Sequence, residues 1–188
     1  MPIQKVTKEE VVKQALFLFK KQGYHRTSMS DLSATCGLQK GSFYHYFTSK
    51  DALMLEVLDT VHQYFSAKVF PIAYDESLTA RERLEKMIAK KIQVVSSTEG
   101  GCLMGNMAIE TALVTEEFLP KMRDFFEEYI RALSHIYEAK FEMTVAKKLA
   151  EQAVIEYEGA WIMVKLTQNN DYLKDVLQRI LDRFDTVN

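Results

Sequence analysis

Apolar residues along this chain recur every three or four positions, the spacing that lines one face of an α-helix. No Val-, Ile- or Thr-rich stretch alternates with period two between turn pairs, so no strand is predicted. The first helix is expected over 8–22. Thr7 with Glu10 forms a capping box, Val11, Val12, Ala15, Leu16 and Phe19 make the inward stripe, and Gly23 stops the helix. A short second helix starts at Ser28 or Ser30 and runs to Cys36, Gly37 turns the chain, and a third short helix covers 40–47. Ser49 caps a longer fourth helix carrying Leu53, Leu55, Val57, Leu58, Val61 and Phe65 as far as Phe70, and Pro71 ends it. Further helices are expected at 78–97, 105–114, 116–140 (with Pro120 tolerated in the first turn), 145–168 and 171–185. The chain is thus read as all-α with nine helices, divided into a small head over 1–50 and a helical bundle over 51–188.

Charge changes this picture. The whole chain is nearly balanced, with 24 Lys and Arg against 26 Asp and Glu. Residues 1–50, however, hold eight basic residues (Lys5, Lys8, Lys13, Lys20, Lys21, Arg26, Lys40 and Lys50) against three acids, while the rest holds 16 against 23. A basic head on an acidic body displaces phosphate counterions at one end and repels DNA at the other, which orients the approach. No apolar run reaches the length of a membrane span, and Met1–Lys8 lacks the apolar core of a signal peptide. Cys36 and Cys102 lie far apart with no secretory feature, so free thiols and a cytoplasmic location are expected. No phosphate-binding glycine loop or metal-ligand cluster occurs, so no cofactor and no metal is expected.

The informative stretch is residues 26–53. Two short helices meeting at Gly37 have the geometry of a helix-turn-helix, with Leu32, Leu38 and Phe43 as its small core. The second short helix presents Lys40, Gly41, Ser42, Tyr44 and Tyr46, a compact polar face suited to a DNA groove. The segment Gly37-Leu-Gln-Lys-Gly-Ser-Phe-Tyr-His-Tyr-Phe-Thr-Ser-Lys-Asp-Ala-Leu53 closely resembles the signature of TetR-family transcriptional repressors. The resemblance implies phosphate contacts from Ser28 and Ser30, base and nearby phosphate contacts from Gln39, Lys40, Gly41 and Ser42, and backbone or base-edge contacts from Tyr44 and Tyr46. It implies a further phosphate contact from Lys50, at the start of the fourth helix. Phe43 and Phe47 match core positions. Read from the residues alone, Tyr44 and Tyr46 are also compatible with packing between the head and the fourth helix.

A second segment, Gly100-Gly-Cys-Leu-Met-Gly-Asn-Met-Ala-Ile-Glu110, resembles the Gly-Cys-x-x-Gly-Asn motif of a TetR subgroup that includes repressors of electrophile- and aldehyde-detoxification genes. Cys102 stands at the mouth of a helix, where backbone N–H groups favour a thiolate. The resemblance implies that it is the sensing residue and that a lysine on the penultimate helix accompanies it, for which Lys165 is the candidate. The alternative is a small buried cysteine under the loop. Trp161, Met104 and Met107 are candidates for lining an adaptable apolar effector cavity.

Leu173, Val176, Leu177, Ile180, Leu181 and Phe184 form a broad apolar stripe on the last helix, and Gly159 and Ala160 permit close helix approach. The family resemblance implies a homodimer through the last two helices, although the stripe also suits the protomer's own core. The expected function is a repressor that releases a palindromic double-stranded DNA operator on sensing a small-molecule effector. The alternatives are an effector-independent architectural DNA-binding protein and a thiol-based enzyme. The latter lacks any histidine or acid placed by a motif beside Cys102.

Overall fold

The computed structural model describes residues 6–96 and 99–186; Lys5 and the expected helix end at Ser97 lie outside them. Among the described residues there are nine α-helices and no strand: α1 Lys8–Gln22, α2 Met29–Thr35, α3 Lys40–Tyr44, α4 Lys50–Lys68, α5 Ala80–Ser96, α6 Leu103–Thr111, α7 Leu119–Tyr137, α8 Met143–Thr167 and α9 Asp171–Thr186. Short 3-10 turns occupy Phe70–Tyr74 and Glu116–Phe118. No helix among the described residues is long and apolar enough to cross a membrane.

Packing divides the chain into two compact units, one of residues 1–63 with 98–122 and the other of 64–97 with 123–188. The first contains the helix-turn-helix. The Thr7 hydroxyl accepts the Glu10 N–H at 3.2 Å while the Glu10 carboxylate accepts the Thr7 N–H at 2.7 Å, closing the capping box on α1. Ser28 and Asp31 repeat this device on α2, and the two Ser28 hydrogen bonds hold the Asp31 carboxyl below its ordinary range. The core of this unit is made by Val11, Ala15 and Phe19 of α1, Leu32, Phe43, and Leu53, Met54, Val57 and Leu58 of α4, all buried.

In the second unit Phe65, Phe70, Phe125 and Tyr129 form an aromatic cluster, with Phe65 and Phe125 edge to face at 5.2 Å. Ala146, Ala150, Ala153 and Ala160 line the buried face of α8; their small side chains leave room for close helix packing, and α8 makes extensive contact with α9. Arg183 of α9 donates to Glu156 of α8 at 2.6 Å, which fixes their register.

Several helix ends differ from those expected, each for a local reason. α3 ends at Tyr44 because the chain tightens there: the N–H groups of His45 and Tyr46 reach back only three residues, to the Ser42 and Phe43 carbonyls at 3.2 and 2.9 Å. Pro71 falls in the first turn of the 3-10 segment rather than simply ending α4. The helix expected from Glu116 begins as a 3-10 turn, with α7 proper starting at Leu119. α6 begins two residues earlier than Gly105, with Cys102 as its N-cap.

Candidate nucleic-acid interface and sensing helix

α3 has one buried residue, Phe43, and a bare face around it. Gln39, Lys40, Gly41, Ser42 and Tyr44 are all exposed, Tyr44 to 42%. A short helix held by a single anchor and exposing everything else suits insertion into a groove. Gly41 is the clearest case. A Cβ added there meets nothing within 4 Å among the described residues, so none of them demands glycine. In a helix glycine is about 1 kcal/mol worse than alanine.

The remaining DNA-facing candidates carry other duties as well. The Ser28 hydroxyl is committed to the α2 cap, donating to Asp31 at 2.6 Å, whereas Ser30 is exposed on the first turn of α2. Tyr46 is half-buried, and its hydroxyl donates to the Val6 carbonyl at 2.6 Å, clipping the segment that enters α1. The Lys50 ammonium donates to the Tyr24 carbonyl at 2.9 Å and lies 4.0 Å over the Tyr24 ring. Lys13, Lys21, Arg26 and Lys40 point into solvent.

The Gly100–Asn106 motif is built by close approach. Gly100 has φ +103°, and a Cβ there would stand 2.1 Å from the Lys20 carbonyl oxygen at the end of α1, which no other residue tolerates. The Asn106 side chain donates to the Gly100 carbonyl at 2.8 Å, holding the loop onto α6. Cys102 follows as the N-cap of α6, without a side-chain capping bond, and is 4% exposed. Met104 and Met107 on the same helix are buried. These three lie in the first packing unit, whereas Trp161 and Lys165 stand on α8 in the second. Trp161 is half-buried, and its indole N–H finds no acceptor among the described residues. Lys165 is exposed. Cys36 is also buried, and burial pushes its thiol up.

Two features escaped the sequence reading. Lys91 on α5 is 1% exposed, with its ammonium 3.8 and 3.7 Å from the ring centroids of Tyr129 and Tyr157 and 3.4 Å from the Glu158 carboxylate. Ring faces and a carboxylate together offset the desolvation of a buried ammonium. The second unit also bears an open cleft of about 850 Å³, where Tyr74 and His135 stack at 4.6 Å beside Arg131 and Lys147. None of the effector candidates lines it. Among the described residues no group of three His, Cys, Asp or Glu side chains is placed to hold a metal.

Two family models match the chain. The one described as bacterial regulatory proteins, tetR family, matches residues 11–57, and the one described as the C-terminal domain of LmrA/YxaF-like transcriptional regulators matches residues 79–179. The chain is similar to the HTH-type transcriptional repressor DhaR of Mycobacterium sp. (strain GP1), 23% identical over 93% of this chain and 90% of that protein. It is similar to the HTH-type transcriptional repressor NemR of Escherichia coli (strain K12), 23% identical over 93% and 92% respectively. Among solved structures, a TetR transcriptional regulator from Legionella pneumophila superposes with a TM-score of 0.85 at 25% identity, covering 96% of this chain and 97% of that one. The reduced form of NemR superposes with 0.78 at 21%, covering 92% and 94%.

Proposed function

Because this chain belongs to the TetR family of bacterial regulatory proteins, with an LmrA/YxaF-like C-terminal domain, we propose that it is a repressor that holds a palindromic operator as a homodimer and releases it on sensing a small molecule. Membership makes it a DNA-binding transcriptional regulator, not an enzyme. The head over 1–50 reads the operator through Gln39, Lys40, Gly41, Ser42 and Tyr44, with Ser28, Ser30, Tyr46 and Lys50 steadying it on the backbone. The bundle over 51–188 carries effector response and dimerisation.

The homodimer reading is supported by α8. Ile155, Gly159, Ile162 and Leu166 recur at spacings of four, three and four and are all exposed, Ile155 to 72% and Leu166 to 74%. On α9, by contrast, Leu173, Val176, Ile180 and Phe184 are buried within the protomer. The outward apolar seam that a partner's matching helix would cover therefore lies mainly on α8.

The effector reading rests on one observation: Cys102 caps the helix whose preceding loop is seated against the Lys20 carbonyl of α1. An adduct on a thiol this enclosed does not fit without shifting the loop, and the loop has no slack at Gly100. Electrophile capture at Cys102 is therefore proposed to displace α6 from α1 and disturb the head. The few kcal/mol needed to switch between two arrangements is within reach of one covalent bond. Met104 and Met107, buried on the same helix as Cys102, are proposed to line the effector cavity, and both DhaR and NemR are named repressors.

N-ethylmaleimide under mild conditions is expected to label Cys102, at the N-cap of α6, faster than Cys36, which has no such position at a helix N-terminus. It is expected to release operator from the wild type but not from Cys102→Ser. Equal release from wild type and Cys102→Ser would assign Cys102 to packing and leave a reversible, non-covalent effector.

A further inference from the structure

Glu110 stands in the last turn of α6, a position the helix dipole disfavours for an acid. Its carboxylate reaches the turn that follows α1, where it accepts the Tyr24 N–H at 2.8 Å and the His25 N–H at 3.3 Å. The His25 ring nitrogen Nε2 lies 3.1 Å from the Glu110 carbonyl oxygen, so side chain and main chain grip the same turn. Gly23 completes the seat. Its φ of +85° with ψ of 167° is a conformation open essentially to glycine, and a Cβ there would meet the Glu110 carboxylate at 2.8 Å.

Tyr24, the residue gripped, is itself the hub of the head. Its hydroxyl donates to Asp51 in the first turn of α4, and burial together with that carboxylate holds the phenol far above its ordinary range. Its carbonyl accepts from Lys50, and its ring meets Phe118 edge to face at 5.3 Å. The turn leads straight into Ser28 and α2. Whatever fixes Tyr24 therefore fixes where the helix-turn-helix begins, and on the α6 side that grip is a carboxylate bonded to the backbone of the turn.

We infer that Glu110 is a positioning residue for operator binding: it clasps the Gly23–His25 turn to α6 and so sets the orientation of α2 and α3. This rests on the repressor reading only in naming the operator as the ligand that senses the orientation. The clasp explains why an acid occupies a helix C-terminus beside the C-terminus of α1, where two dipoles oppose it and only the paired N–H groups reward it.

The test compares full-length wild type, Glu110→Ala and Glu110→Gln. Glu110→Ala is expected to bind operator at least tenfold more weakly, with faster hydrogen exchange at the Tyr24 and His25 amides. Residual dipolar couplings should show α2 and α3 rotated relative to α6, while the exchange protection within α2 and α3 is kept. Glu110→Gln keeps an acceptor oxygen in place and is expected to restore affinity to within about threefold of wild type. Unchanged affinity and couplings in Glu110→Ala would overturn the proposal, and so would loss of protection throughout α2 and α3 in both variants, which would mark Glu110 as a folding residue. If the wild type bound no operator at all, the repressor reading would fall, while the exchange rates and couplings, measured without DNA, would still decide whether Glu110 positions the head.

Discussion

Lys40→Ala and Tyr44→Ala are each expected to weaken operator binding by about 1–3 kcal/mol per half-site, hence about 2–6 kcal/mol for a dimer on a palindrome, with little change in thermal midpoint. Lys40 and Tyr44 are both exposed on α3, so truncating them removes almost nothing from the core. Gly41→Ala separates binding from stability more sharply still. The free protein has open space where the methyl group would go, and alanine is the better helix former, so the variant should melt at the wild-type temperature or slightly above it. In the groove the same methyl group would stand between the helix and the DNA, and affinity should fall at least tenfold. Gel-shift titration beside thermal melting reads both quantities. A Tyr44→Ala variant whose midpoint drops by several degrees in step with its affinity would return Tyr44 to packing.

Raising salt from 50 to 200 mM is expected to cost the complex a factor of about 10³ or more in affinity. Lys13, Lys21, Arg26 and Lys40 are exposed on each head. A dimer that neutralises about six phosphates with such groups gives a log–log slope near −5, and a fourfold rise in salt then costs about three decades. Not every basic residue of the head contributes. Lys8 is paired with Glu56 at 3.0 Å, so the slope should fall short of what sixteen formal charges per dimer would give. A Lys13→Gln variant should make the slope shallower by about 1–2 (two copies per dimer) if Lys13 meets phosphate. A wild-type slope shallower than about −2 would mean that the basic face is not the one that meets DNA.

Local chemistry was readable from the residues, and long-range partnership was not. The Thr7–Glu10 box and the stop at Gly23 need only neighbours in sequence, and α1 runs over the residues expected of it. α6 was displaced because cysteine is a poor N-cap signal and Gly105 resembles a helix start, whereas the helix begins where the Gly100 loop leaves it, against Lys20. The broad α9 stripe could be seen, but its inward direction depends on where α8 lies. Lys91 and Glu110 were invisible for the same reason. A lysine or glutamate on an amphipathic helix ordinarily reads as solvated, and only the fold brings Tyr129 and Tyr157 around the one and a backbone turn 86 residues away to the other.

On the proposed function, two copies of α3 read a symmetric DNA sequence. Selection of bound sites from a pool of randomised duplexes, with the protomer stoichiometry of the selected complex measured by light scattering, tests it most directly. The expected result is an inverted repeat with half-sites about one helical turn or a multiple of it apart, occupied by an even number of protomers and lost from the pool selected with Lys40→Ala. Enrichment of no sequence, or of a single half-site held by one protomer, would contradict it.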